Sequence, residues 1–438
     1  MDSGSQRAVV GQGTELSTKK EGPIDGSWVE LDALAFFANL RFFEDVLQKR
    51  AALSSAQGGP SESGSAPPLL GVVLKGNAYG HGLLEMSRLM ALISSISVAY
   101  VFSLQEARLA AAHLRRDQRI LILGAHPEPM PSWEDALRFE WVVSSASQVL
   151  GIVAWLSSCV PLADQRLAVH IHFDSGLGRE GFGPEDGVQA ARALLATGRA
   201  AVVGSMTHFA NTEDVTRQDY ARQQVARFSS CALGLDGALA LLGFGAAERH
   251  LAATAATLVL PESSADAVRI GIGAYGLWPS NETRLGYVVS RAEPRGAPEP
   301  LQPILSWRVR SQCIKKLEAG SFVGYGCTYR CEEPTLVGVF PVGYADGYAR
   351  SLTSRAYVLV QGLRCPVIGR VMMNHIIVAL PERLGLDVGE TVVATLLGHD
   401  GAESITAEDL ATWSGTINYE SVTRISPHLR RIVIGADI

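Results

Sequence analysis

The chain has 438 residues, 47% of them hydrophobic and 19% charged, with a net charge of −6. That balance excludes a disordered or fibrous protein and leaves room for two packed domains. It also gives no general attraction to nucleic acid or an anionic membrane, and no apolar run approaches the ~18–20 residues of a membrane span.

The first residues, 1–26, lack the continuous apolar core of a secretory signal and read as a flexible tail. The Ser/Gly/Pro-rich stretch at 54–68, "SSAQGGPSESGSAPP", reads as a disordered loop. Strand-like runs then follow at 71–75, 97–103, 119–124, 141–145, 166–174, 201–209, 250–254 and 267–273. Between most of them lie amphipathic segments such as "LLEMSRLMALISS". Near-continuous apolar strands separated by helices imply a parallel sheet with a covered outer face. Eight of them point to an α/β fold, an N-terminal (β/α)8 barrel over 27–285, although a doubly wound open sheet would show the same alternation. After the Pro-rich "RAEPRGAPEPLQP" (291–303) the pattern changes to short strands punctuated by Gly and Pro, a mainly β C-terminal domain over 286–438. The six cysteines (159, 231, 313, 327, 331 and 365) show no pairing at zinc-site spacing. No metal is expected, and they read as reduced thiols of a cytoplasmic protein.

The most informative stretch is "GVVLKGNAYGHG" (71–82), where Lys75 follows three apolar residues and precedes a glycine-rich turn. Barrel enzymes keep their chemistry at the C-terminal strand ends. A desolvated lysine there has a lowered pKa and can form a Schiff base. The plain alternative is a strand-end lysine that snorkels to solvent.

Other segments bear on that choice: "HFDSGLGREGF" (172–182), "THFANTED" (207–214), "AATAATL" (252–258), "VRIGIGAYGLWPS" (268–280), "VGYGCTY" (323–329), "PVGYADGYAR" (341–350), "GRVMMN" (369–374) and "TINYESVTRIS" (416–426). As an ordered set, running from about Trp28 to the last residues, they resemble the alanine racemase family, pyridoxal 5'-phosphate (PLP) enzymes with a barrel and a C-terminal β-domain. The resemblance implies that Lys75 carries PLP. Tyr79, Thr254, Gly271, Ile272 and Tyr419 match residues around its phosphate, Arg269 one that faces the pyridine nitrogen, and His208 one that lies against the ring. An arginine stays protonated, so at the ring nitrogen it donates a hydrogen bond and disfavours protonation; the alternative is a rim arginine paired with Asp266 or Glu262. Arg179 matches a residue touching the cofactor's phenolic oxygen and the substrate carboxylate.

Racemisation needs a proton removed from one face of Cα and another delivered to the opposite face, so two bases are expected. The resemblance makes Lys75 one and Tyr325, from the partner subunit of a homodimer, the other. Met373, also across the dimer, matches a residue whose backbone N–H meets the substrate carboxylate. Tyr344, Arg350 and Arg370 match positions lining the entrance. An isolated tyrosine has a pKa near 10, so nearby cations must lower it. Three positions depart from the family pattern: Asn374 where aspartate is usual, His172 where a lysine is common, and Ala253-Thr254 where Asn-Ser is usual. The expected function is interconversion of L- and D-alanine, supplying D-alanine for biosynthesis. A broad-specificity racemase acting on serine or other amino acids is the alternative, followed by a barrel-type PLP decarboxylase or a non-catalytic PLP-binding protein. No "EGGR"-like phosphate loop of the decarboxylases is present.

Overall fold

The computed structural model describes residues 26–56, 66–124, 129–159, 165–291 and 298–436. The expected tail lies outside these residues except for Gly26, as do 57–65 of the expected loop; 54–56 instead close a long helix, Ala33–Ala56.

Seven of the eight expected runs form strands and the remaining one is shifted, the strand ending at His250 where the run at 250–254 was expected to begin: β2 (Leu69–Val73), β3 (Ile96–Val101), β4 (Arg119–Ile122), β5 (Glu140–Val143), β6 (Leu167–His172), β7 (Ala200–Met206), β8 (Glu248–His250) and β9 (Ala267–Ile270). They make one parallel sheet in the order β8-β7-β6-β5-β4-β3-β2-β9. The two ends meet through a parallel bridge between Ala253 and Arg269 and through the bond from Arg269 N to Ala252 O at 2.9 Å. The sheet therefore curls into a near-closed barrel. Its outer face and the helices share the main apolar core, while Val73, Val98, Tyr100, Leu121, Val142 and Met206 form a separate cluster. Two glycines make room within the strands. A Cβ on Gly71 would lie 2.4 Å from the Tyr100 ring, and one on Gly204 would lie 1.9 Å from His170 Nδ1.

One strand departs from the expected division. Ser27–Asp32 (β1), placed in the barrel segment by its position in the chain, belongs to the second sheet. It runs antiparallel to β10 (Leu305–Arg310) and parallel to Arg430–Ile434 near the C-terminus. The helix that follows is capped by Asp32, whose Oδ1 accepts from Ala35 N at 2.9 Å. Deeper in that helix the buried Asn39 side chain bonds Gln302 twice, at 2.8 and 2.9 Å, tying the helix to the crossing that leads into the second sheet.

The remaining strands of that sheet are short and mostly antiparallel, as the Gly/Pro punctuation implied. Where β2 is buried along almost its whole length, β10 alternates buried and half-buried residues, the mark of a sheet with one face outward. Two helices, Ala407–Ser414 and Asn418–Thr423, interrupt the β-rich half. The second carries Tyr419 back to the barrel mouth.

Candidate functional site

Lys75 stands two residues past β2, and Leu74 N still donates to Tyr100 O at 2.7 Å, so the lysine is held by the sheet. The next five residues, Gly76 to Gly80, all have positive φ and form one left-handed turn. For Asn77, Ala78 and Tyr79 that conformation costs about 1–2 kcal/mol each, and the surroundings hold it. Asn77 Oδ1 accepts from Leu83 N at 2.9 Å, Gly82 N donates to Asn77 O at 2.9 Å, and the Arg431 guanidinium donates to Gly80 O at 2.7 Å. The turn swings Tyr79 under the barrel mouth, its ring 5.4 Å from Tyr275 and 6.1 Å from Tyr419. Burial lowers the Lys75 pKa, helped by the positive charges of Arg179 and Arg269 and opposed by Glu106 and Glu180. Burial pushes the Tyr79 hydroxyl up to about 12, against the pull of Arg269. Both shifts favour the neutral forms.

Arg269 is fully buried with no carboxylate against it. Its Nη1 donates to His250 O at 2.5 Å and contacts His250 Nδ1 at 3.0 Å. Its Nη2 donates to Thr207 O at 2.8 Å and Leu251 O at 3.0 Å, and lies 3.3 Å from His208 Nδ1. The alternative ion pairs are absent, because Asp266 accepts from Arg249 N at 2.7 Å and Glu262 pairs with Arg222 at 2.7 Å. Only the Arg269 Nε–H has no acceptor among the described residues. Burial brings the guanidinium down to about 10, still high enough to stay charged near neutrality. Burial, with Arg269 and Arg179, drives His208 down to about 3 and His172 to about 4, so both imidazoles are neutral.

Thr254, Gly271 and Ile272 lie together beyond β8 and β9. The N–H groups of Gly271 and Gly273 converge on Thr254 Oγ1 at 3.1 and 3.4 Å. Gly271 cannot carry a side chain freely, since a Cβ there would lie 2.6 Å from Tyr79 Oη. If this turn seats the phosphate that the resemblance implies, filling that space displaces the tyrosine from it. Overpacking of this kind weakens binding by about tenfold or more, so Gly271→Ala is expected to raise the PLP dissociation constant to that extent in a fluorescence titration of the apo protein. An unchanged constant removes this turn from the phosphate seat.

The rest of the expected set divides in two. Arg179 is exposed beyond β6 and pairs with its neighbour Glu180 at 2.9 Å. Tyr419 hydrogen-bonds the Glu213 carboxyl, and burial with that negative charge raises its pKa. Both stand on the barrel-mouth side with Lys75. Tyr325 (71% exposed) and Met373 (56% exposed) do not. They sit on a face of the β-rich half with the exposed Tyr344, and Tyr325 makes no side-chain hydrogen bond or ring contact with the other described residues. There Tyr344 N and Ala345 N donate to Met372 O and Met373 O at 3.1 and 3.0 Å, and a Cβ on Gly326 would lie 2.9 Å from the Arg370 guanidinium carbon. A single chain thus presents most of the expected machinery at the barrel mouth and the rest on an outward face of the β-rich half.

Sequence reasoning missed Glu140, His170 and His250, which contact one another beneath Arg269. A signal was present: His170 and His172 alternate with apolar residues in "LAVHIHFD", which puts both on one strand face. Glu213 was missed for want of any local pattern.

Comparisons with known proteins bear on the family and the fold. Residues 63–279 match the family model described as alanine racemase, N-terminal domain, and 304–433 that described as alanine racemase, C-terminal domain. An alanine racemase of Leptospira interrogans is 36% identical over 410 residues, covering 93% of this chain and 96% of that protein. Among solved structures, an alanine racemase of Clostridium difficile 630 superposes with a TM-score of 0.77 at 26% identity, covering 94% of this chain and 96% of its own. That of Bacillus anthracis with bound L-Ala-P gives 0.75 at 30% identity, covering 95% and 97%.

Proposed function

The chain belongs to the alanine racemase family and interconverts L- and D-alanine, and from that premise we propose that it does so on PLP carried by Lys75, as a homodimer in which each barrel site is completed by Tyr325 and Met373 of the partner subunit. The observation that carries the reading is the half-buried Lys75, with its pKa lowered, beside an uncountered Arg269 and a glycine seat in which a Cβ would meet Tyr79 Oη at 2.6 Å. These residues fit PLP at its carbonyl, its phosphate and its ring nitrogen. Lys75 would hold the carbonyl carbon, the N–H groups near Gly271 and Ile272 with Thr254, Tyr79 and Tyr419 the phosphate, and the Arg269 Nε–H the ring nitrogen. His208 would lie against the ring.

Bound there, PLP supplies the electron sink for the charge left at Cα when its proton departs. Arg269 donates to the ring nitrogen without protonating it, which limits how deeply that charge is drawn in. Lys75, kept poor in protons by burial, takes or returns the proton on one face of Cα. Tyr325 of the partner subunit does the same on the other. Arg179 and the Met373 N–H of the partner subunit hold the substrate carboxylate, and Tyr344, Arg350 and Arg370 line the way in. No helix among the described residues is long and apolar enough to cross a membrane. The exposed thiols of Cys313 and Cys327 suit a reducing compartment, and we place the enzyme in the cytoplasm.

Tyr419 sets the substrate range. Its half-buried ring stands where a side chain larger than methyl would extend, which favours alanine, while Asn374 is exposed and acts only where solvent screens charge. Methylene-scale discrimination is about 1–3 kcal/mol, or roughly 10- to 200-fold. Purified protein with PLP is therefore expected to convert L-alanine to the racemate by chiral chromatography, to act on L-serine more slowly by about that factor, and to leave L-lysine and L-arginine nearly untouched. Equal specificity constants for lysine and alanine would make the broad-specificity reading the better one.

A further inference from the structure

Beneath Arg269 the barrel interior holds a continuous line of polar side chains, and the donors along it can point in only one direction. A guanidinium donates and never accepts, so the 3.0 Å contact with Arg269 Nη1 makes His250 Nδ1 an acceptor. A neutral imidazole carries one N–H, and burial keeps His250 neutral, with the Arg269 charge acting in the same direction. Its proton is therefore on Nε2, 2.9 Å from His170 Nδ1, which must accept. That leaves the His170 proton on Nε2, 2.9 Å from Glu140 Oε2. A doubly protonated His170 would set N–H against N–H, so both rings are neutral Nε2–H tautomers.

The line ends on a fixed negative charge. Arg119 Nε and Nη2 donate to the two Glu140 oxygens at 2.7 and 2.8 Å, and Arg119 Nη1 to Glu248 at 2.7 Å. Burial pushes the Glu140 carboxyl up, but the bonds from His170 and Arg119 outweigh it and hold it at about 2. The strand opposite is shaped for the line as well, because only a glycine at 204 leaves room for the His170 ring.

We propose that Glu140, His170 and His250 act as positioning residues for the racemase reaction: the carboxylate sets the tautomer of both imidazoles, and His250 thereby holds Arg269 so that its Nε–H is the donor left for the cofactor nitrogen. This rests on the PLP reading above. Reversing either tautomer places an N–H of His250 against the Nη1 donors, and Arg269 must then shift. Buried polar lines of this kind keep one geometry only when every member is satisfied.

The test has two arms. In apo protein labelled with 15N-histidine, nitrogen–proton correlation spectra are expected to show His170 and His250 as Nε2–H tautomers with exchange-protected, low-field protons. A proton on His250 Nδ1 overturns the proposal whether or not PLP binds. In the PLP-loaded enzyme, Glu140→Gln and His170→Phe are expected to shift the visible cofactor band and lower kcat by about ten- to a hundredfold, with KM for alanine changed less than twofold. Glutamine offers both a donor and an acceptor, so it removes the imposed direction while leaving the volume nearly unchanged. It carries this arm alone if His170→Phe does not fold. A loss of thermal stability with kcat and the cofactor band unmoved reduces the line to a structural role and overturns the proposal. If wild-type protein binds no PLP, the PLP reading fails while the tautomer arm still stands.

Discussion

Replacing Lys75 with alanine is expected to leave a folded protein with no visible cofactor band and racemase activity reduced by at least about 10³-fold. A positioned general base alone contributes about 10²–10⁴, and the covalent hold on the cofactor is lost with it. The fold is expected to survive because the left-handed turn is held by contacts of Asn77, Gly80 and Gly82 rather than of the lysine side chain. Lys75 is half-buried and close to two guanidinium groups, and each of these conditions disfavours its ammonium. Removing it therefore relieves an electrostatic cost. Borohydride reduction followed by peptide mapping checks the assignment: wild type is labelled at Lys75 and the variant nowhere. A trapped adduct that persists in Lys75→Ala would sink it.

Mixing two inactive proteins should restore activity. Tyr325→Phe is expected to cut racemisation by about 10²–10⁴, while exchange of the Cα proton survives better for the enantiomer whose proton faces Lys75. Neither effect arises from a lost contact among the described residues, since Tyr325 is 71% exposed and its side chain has no hydrogen bond to them. If the site is shared across a twofold dimer, a hybrid of Lys75→Ala and Tyr325→Phe subunits holds one doubly damaged site and one intact site. Random exchange then returns about a quarter of wild-type activity. No recovery after verified subunit exchange places Tyr325 outside the partner's site. Wild-type turnover and exchange from both enantiomers removes it as a base altogether.

The sequence exposed those parts of the fold and site that follow from local periodicity or from a contiguous motif. Seven barrel strands read as largely apolar runs because both faces of a barrel strand are covered, while Glu248–His250, which is not apolar, was read two residues late; the lysine stood out because its chemistry conflicts with such a run. Ser27–Asp32 was misplaced because an isolated strand carries no sign of its partners, which here stand hundreds of residues away. The left-handed run through Asn77, Ala78 and Tyr79 was hidden for a different reason. Residues with a Cβ rarely adopt that conformation, and only distant contacts, such as Arg431 on Gly80, impose it. The Glu140–His170–His250 line depends on which interior side chains meet across the barrel, and that register exists only after closure. Arg269 could be identified, but the acceptors that hold it could not.

The same misplaced strand bears on how the chain emerges from the ribosome. Ser27–Asp32 is made early, yet one of its neighbours, Arg430–Ile434, follows some 400 residues later. At about 5–20 residues per second, the strand waits roughly 20–80 s for that edge. Meanwhile β2 to β8 are sequential neighbours and can pair as they are made, and β9 then adds beside β2. The barrel sheet therefore forms first, with a β-strand dangling from its leading end that has unsatisfied backbone donors and three residues destined for burial, Trp28, Val29 and Leu31, still in water. Such an edge recruits other nascent chains. Expression yield, rather than catalytic rate, is where substitutions in Ser27–Asp32 should register.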